Sequence, residues 1–140
     1  MGELNIELVS EADIPIMLAL WRNIPGLGVG DQEASLRDFI RRNPTTCLLG
    51  KSGDSIVSTV LGGFDGRRGY IYHLAVRPDY QRRGWGTKML QEVIIRLEQL
   101  KAEKIHLFAF KDNQGAQAFY ESQAWIKRHD IQVYSLNIKK

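Results

Sequence analysis

The stretch Tyr70-Ile71-Tyr72-His73-Leu74-Ala75-Val76-Arg77-Pro78-Asp79-Tyr80-Gln81-Arg82-Arg83-Gly84-Trp85-Gly86-Thr87-Lys88-Met89-Leu90 carries the readable chemistry of this chain. Tyr70 to Val76 reads as a strand. A basic loop follows, and Gly84 and Gly86 then open a long amphipathic helix. The apolar stripe of that helix is Met89, Leu90, Val93, Ile94, Leu97 and Leu100,. A helix N-terminus exposes unpaired backbone N–H groups and a partial positive charge, which suits phosphate. Glycine lets the backbone approach a ligand closely and take positive φ. Arg77, Arg82, Arg83 and Lys88 flank the same turn. The combination describes a cradle for a pyrophosphate.

Two familiar phosphate loops do not fit. Gly50-Lys51-Ser52 has the last triplet of a Walker A loop, but Thr45 stands where its first glycine is required,. Gly84-Trp85-Gly86 has Met89 at the third glycine position of a dinucleotide fingerprint,. The glycines at 26, 28 and 30 follow a helix rather than a strand, so they fail on context.

Working outward, Leu4, Ile6 and Leu8 alternate with polar residues as in a half-buried strand,. Ser10 starts a helix, with Asp13 completing a variant capping box and Ile14, Met17, Leu18 and Trp21 at helical spacing,. The glycine-rich stretch 25–30 breaks it, and a second helix spans about Gln32 to Arg42,. Thr46 to Leu49 and Ile56 to Leu61 precede the strand at 70–76, with turns at Ser52-Gly53-Asp54 and Asp65-Gly66,. Beyond the long helix come a strand from Ile105 to Phe110, a helix from Ala116 to Ser122 and a final strand through Ile131, Val133 and Ser135 to Ile138. A short extra strand is open near Trp125 to Arg128. The order βααβββαβαβ predicts one α/β domain over residues 1–140, its mixed sheet of about six or seven strands carrying helices on both faces.

Length and composition agree with one globular domain. The 140 residues are 44% hydrophobic and 25% charged,. That is enough apolar surface for a core, and no run approaches the ~20 residues of a membrane span. The N-terminus lacks an apolar leader, and a lone cysteine, Cys47, suggests a reducing setting, so a cytoplasmic location is expected,. The net charge of +3 is uneven. Residues 67–88 hold six basic side chains and one acid, a local +5 that leaves −2 for the rest. Such a concentration points to an anionic partner.

At this point the residues resemble the GNAT family of N-acetyltransferases. Gln81-Arg82-Arg83-Gly84-Trp85-Gly86 matches its [Gln/Arg]-x-x-Gly-x-[Gly/Ala] signature. Leu74-Ala75-Val76-Arg77-Pro78 looks like the end of the family's fourth strand, and Asn113-Gln114-Gly115-Ala116-Gln117-Ala118-Phe119-Tyr120 is similar to its Asn-x-x-Ala-x-x-Phe-Tyr helix. The element order agrees along nearly the whole chain. One departure is Ala124-Trp125, where members usually carry Gly-Phe or Gly-Tyr, which puts the local turn in question.

The resemblance implies a GNAT-like fold and acetyl-coenzyme A as acyl donor, lying in a gap between the fourth and fifth strands. Its pantetheine arm would pair with Leu74, Ala75 and Val76. Its pyrophosphate would meet the N–H groups of Arg82, Arg83, Gly84, Trp85, Gly86 and Thr87, with Asn113 bonding the pantetheine from the other side. Tyr120 matches the tyrosine that protonates the departing thiolate, and a backbone N–H near Ala75 or Val76 would stabilise the thioester oxygen. The implied reaction is direct transfer to a primary amine of a small molecule, peptide or protein. The alternative is a degenerate member that binds coenzyme A as a sensor or interaction module. Basic charge also suits nucleic acid, but the expected partners are acetyl-coenzyme A and an amine, with no nucleic acid and no membrane. A homodimer stays open.

Some lysine-modifying relatives place a glutamate where this chain has Tyr70. Tyr70 and Tyr72 alternate onto one strand face as candidate acceptor-pocket residues, with Asp31 and Glu33 as candidate acids. His73 is expected on the opposite face in a structural role, and Cys47 in the core. His106 and His129 lack metal-ligand spacing, so no metal is expected,.

Overall fold

The computed structural model describes residues 3–24, 27 and 32–138. It divides into two compact units, Met1–Phe108 and Ala109–Lys140. The glycines at 26, 28 and 30, and Asp31, lie outside the described residues.

The first unit is a five-stranded mixed sheet in the order β1-β2-β3-β4-β5. Its strands are β1 (Leu4–Leu8), β2 (Cys47–Ser52), β3 (Ser55–Phe64), β4 (Arg68–Val76) and β5 (Lys104–Leu107). The first four run antiparallel to their neighbours and β5 pairs parallel with β4. Helix α1 (Ile14–Arg22) is entered through a 3-10 turn, where the Ser10 N–H donates to the Asp13 carboxylate at 2.8 Å. Helix α2 (Glu33–Arg42) carries Arg37 and Arg41, which both pair with Glu11 of that turn.

The sheet's alternation assigns each face a cover. Met17, Leu20 and Trp21 of α1 and Leu36 and Ile40 of α2 bury Leu49, Leu61 and Ala75 on one side. Helix α3 (Trp85–Gln99) covers the other side through Met89, Val93 and Leu97. Gly62 is what lets α3 close down there, since a Cβ would stand 2.8 Å from Val93 and 3.0 Å from the Thr46 carbonyl. The predicted mixed sheet with helices on both faces is therefore present, but with five strands.

In the second unit, α4 (Gln114–Ser122) forms as expected, capped by Asn113 Oδ1 accepting from the Ala116 N–H at 3.1 Å. The expected strand at 131–138 and the short one near 125–128 are absent among the described residues, and β5 stops at Leu107 rather than Phe110. An alternating pattern records only a local preference, and a strand exists through its ladder. Here Val133, Leu136 and Ile138 stay mostly exposed.

The turn at Ala124 forms without glycine. Ala124 takes φ +69°, its N–H donates to the Glu121 carbonyl at 3.1 Å, and the Trp125 N–H donates to the Tyr120 carbonyl at 3.0 Å. This is a left-handed helix end held by a residue with a Cβ, which costs about 1 kcal/mol relative to glycine. Ala124→Gly should therefore raise stability by about 1 kcal/mol in denaturant unfolding. An unchanged or lower midpoint would show that the turn carries no such strain.

Candidate functional site

Strands β4 and β5 pair only from Arg68↔Lys104 to Ile71↔Leu107. Beyond Ile71, β4 runs on to Val76 with β3 on one side and, among the described residues, no strand on the other. The edge from Leu74 to Val76 is thus open towards a gap. Which groups face it follows from the ladder. The Arg77 N–H donates back to the Val57 carbonyl at 2.7 Å, and Ala75 pairs with Thr59. Successive residues direct their backbone groups to opposite sides, so Leu74 and Val76 point theirs into the gap. Of the two N–H groups expected near the thioester oxygen, that of Val76 is the one turned away from β3. The Val76 carbonyl is taken at 2.8 Å by the Gln81 side chain, which clips the following loop to the strand end.

A β-bulge lies just before this edge. Thr59 pairs with Ala75 and Leu61 with Tyr72, so Val60 faces both His73 and Leu74. The extra residue reverses which face later side chains visit. Tyr72 before it and Ala75 after it both face α1 and α2. His73 does not point to the opposite face as unbroken alternation predicts. Its ring stacks on Trp21 of α1, centroids 4.3 Å apart, and its φ is +49°.

The loop after β4 is built from stacked planes. Tyr80 and Trp85 stack at 4.7 Å, and the Arg77 and Arg83 guanidinium groups lie 4.7 and 5.1 Å from the centre of the Tyr80 ring. Trp85 is buried, so its indole serves packing while its N–H opens α3. Gly84 is the N-cap, at φ +81°, and Arg82 is also held at positive φ, +65°. A Cβ at Gly84 would meet nothing within 4 Å, so backbone conformation is what requires glycine there. Gly86 and Thr87 complete the first turn, whose N–H groups precede the first intrahelical bond, Lys88 N–H to Gly84 carbonyl,.

The local +5 is partly neutralised. Arg68 pairs with Glu103 at 3.1 Å and Arg77 with Asp79 at 2.7 Å. Arg82 and Lys88 are exposed and form no ion pair among the described residues, so they remain as counter-charges for an anion.

The aromatic residues of β4 gather partners that the sequence did not reveal. Phe39 of α2 meets Tyr72 edge-on at 5.7 Å, Tyr70 and Tyr72 lie parallel at 6.5 Å, and His106 of β5 stands 5.9 Å from Tyr70. Burial, and then the neighbouring Tyr70, raise the Tyr72 phenol above its ordinary pKa. Both effects disfavour phenolate. Glu33 is on the exposed first turn of α2 and pairs with Arg37 at 2.8 Å.

In its own unit, Tyr120 is partly buried on α4, with Phe119 and Trp125 edge-on at 5.2 and 5.8 Å. Burial pushes its pKa up to about 12. Asn113 uses its side-chain oxygen as the α4 cap.

The comparisons with known proteins agree with this architecture. Residues 16–125 match the model of the acetyltransferase (GNAT) family. An acetyltransferase of Pectobacterium atrosepticum is 29% identical over 119 residues, 84% of each chain. The crystal structure of Ard1 from Thermoplasma volcanium superposes with a TM-score of 0.80 at 19% identity, over 88% of this chain and 82% of that one. A predicted acetyltransferase from Clostridium acetobutylicum, solved with acetyl-CoA, gives a TM-score of 0.75 at 16% identity, over 95% and 96%. The chain belongs to the GNAT acetyltransferase family.

No His, Cys, Asp or Glu group among the described residues has the arrangement of a metal site. Likewise, no helix among them is long and apolar enough to cross a membrane. Cys47 is fully buried, and burial pushes its thiol up to about 12. At pH 8 its thiolate is then about one part in ten thousand,. The native protein should resist iodoacetamide at pH 8 and react once urea unfolds it, as mass spectrometry can read. Rapid native alkylation would place a reactive thiol within reach of an acyl donor.

Proposed function

We propose that this chain transfers an acetyl group from acetyl-coenzyme A directly to a primary amine, without a covalent acyl-enzyme. The observation that carries this reading is the open edge from Leu74 to Val76, which ends beside the glycine-capped start of α3. An extended pantetheine arm can add to that edge as a further strand. Its pyrophosphate then falls to the N–H groups of residues 82–87, with Arg82 and Lys88 as counter-charges. The pKa of Cys47 supports direct transfer, because a neutral buried thiol is a poor nucleophile,.

In the proposed reaction the amine nitrogen attacks the thioester carbonyl. Negative charge gathers on its oxygen, to which the Val76 N–H donates. The attacking nitrogen gives up one proton to water, the C–S bond breaks, and the departing thiolate takes a proton to leave as the free thiol, the donor being reprotonated from solvent. The family resemblance assigns the thiolate's proton to Tyr120. Burial, which pushes its pKa up to about 12, leaves the phenol with its proton throughout the working range but makes it a weaker acid than a free phenol,. The acceptor side is proposed at Tyr70 and Tyr72 with Phe39 and His106. Glu33, paired with Arg37, is left as a surface residue in this reading.

Thiol release from acetyl-coenzyme A against pooled amino acids, polyamines, aminoglycosides, free N-terminal peptides and N-blocked lysine peptides tests the function. Turnover above hydrolysis in one pool names the acceptor class, whereas silence in all pools would overturn the enzyme reading.

Three substitutions separate the parts. Gly84→Gln must hold an unfavourable positive φ and should weaken acetyl-coenzyme A binding by about tenfold or more in calorimetry. Val76→Pro removes an N–H that no strand uses, and should lower kcat by about 10²–10³ with the fold retained. Tyr120→Phe should spare binding and lower kcat by about 10²–10⁴. Its sign with pH is fixed as well. Folding raises the phenol's pKa, so its contribution to stability is complete below about pH 10 and lost between about 10 and 12,. That alkaline loss should diminish in Tyr120→Phe on denaturant titration.

A further inference from the structure

The bulge in β4 is held by a relay that no other part of the site uses. Position 73 is the first of the two residues facing Val60, and in bulges that need positive φ it is ordinarily glycine,. Here it is a histidine at φ +49°. Thr59 Oγ1 lies 2.9 Å from its carbonyl oxygen and 2.8 Å from Trp21 Nε1. Indole Nε1 can only donate, so the Thr59 hydroxyl accepts there and spends its one proton on the His73 carbonyl. Both hydrogen bonds are therefore directed, from α1 through β3 to β4. Thr59 is fully buried and Trp21 nearly so, which shields the relay from competing water. The stack of the His73 ring on Trp21 holds the same residue from its side-chain end.

We propose that Trp21, Thr59 and His73 are positioning residues that keep β4 in its bulged register, so that Leu74 and Val76 direct their backbone groups into the gap. Without the relay, His73 relaxes to negative φ and the bulge loses its anchor. A slip of one residue then turns Leu74 and Val76 towards β3 and Ala75 towards the gap, because strand alternation has period two. None of the three side chains touches the reacting atoms in this account. The inference rests on the open β4 edge being the acyl-donor site.

The test uses the full chain with Thr59→Val, Thr59→Ser and the double change Thr59→Val with His73→Gly. Valine keeps the shape and removes the hydroxyl, so the Trp21 N–H loses this acceptor and the His73 carbonyl loses this donor. Thr59→Val should lower kcat/KM for acetyl-coenzyme A by about tenfold or more, the scale of a lost buried hydrogen bond. In the ligand-free protein it should also speed amide exchange at Ala75 and Arg77, whose N–H groups face β3, by a similar factor, with the far-UV spectrum unchanged. Thr59→Ser keeps the donor and should stay within about threefold of the wild type on both readouts. His73→Gly should recover most of the loss, since glycine holds positive φ without the relay. Unchanged exchange and kcat/KM in Thr59→Val, or no recovery from His73→Gly, would overturn the proposal. Should the wild-type protein fail to bind acetyl-coenzyme A, the functional reading falls, while the exchange experiment still decides whether the relay holds the bulge.

Discussion

A β-strand carries a donor and an acceptor on each side, and wherever a neighbour ends those groups must find another partner. Strand β4 meets this constraint beyond Ile71, where β5 turns away and five more residues continue with β3 alone. The rest of the unit can be read as a response to it. Gln81 folds back to take the Val76 carbonyl. The bulge at His73 and Leu74 decides which N–H groups meet the gap. Helix α3 begins soon afterwards, adding the N–H groups of its first turn to the same end of the sheet,. Water satisfies such groups adequately, and an extended ligand with alternating amides satisfies them better.

Electrostatics sharpen this picture. The cluster of basic residues at 67–88 suggests a uniform positive patch in the sequence. In the folded chain Glu103 and Asp79 each occupy one arginine, and Tyr80 lies under two guanidinium groups. Beside the left-handed Gly84, Arg82 and Lys88 form no ion pair among the described residues. A small set of charges around a rigid turn recognises a compact anion such as a pyrophosphate, whereas a long polyanion calls for a continuous track.

How much of this was legible follows from the range of each signal. The strand, loop and helix at 70–90 were readable because their cues are local: alternation, glycines at a helix start, and an apolar stripe. So were α1, with its Ser10–Asp13 cap, and α4. Register was not readable. Nothing in the order of residues says that Val60 faces two partners, and so His73 was assigned to the wrong face. The aromatic row was half visible, as Tyr70 and Tyr72, while Phe39 and His106 join it only through the packing of α2 and the pairing of β5. The alternating residues at 131–138 misled for the same reason, since their pattern needs a neighbouring strand to become a ladder.

The bulge also divides β4 into two halves with separate histories open to them. Upstream, the side chains at 70 and 72 look towards α2 and β5. Downstream, the main chain at 74 and 76 looks into the gap, whatever side chains those positions bear. Substitution in the upper half can therefore reshape the surface offered to an acceptor while the lower half, made of backbone, stays as it is. Deletion has no such freedom: losing one residue between 72 and 75 would turn one half inside out relative to the other. A lineage built on this strand is free to change its side chains far more readily than its length.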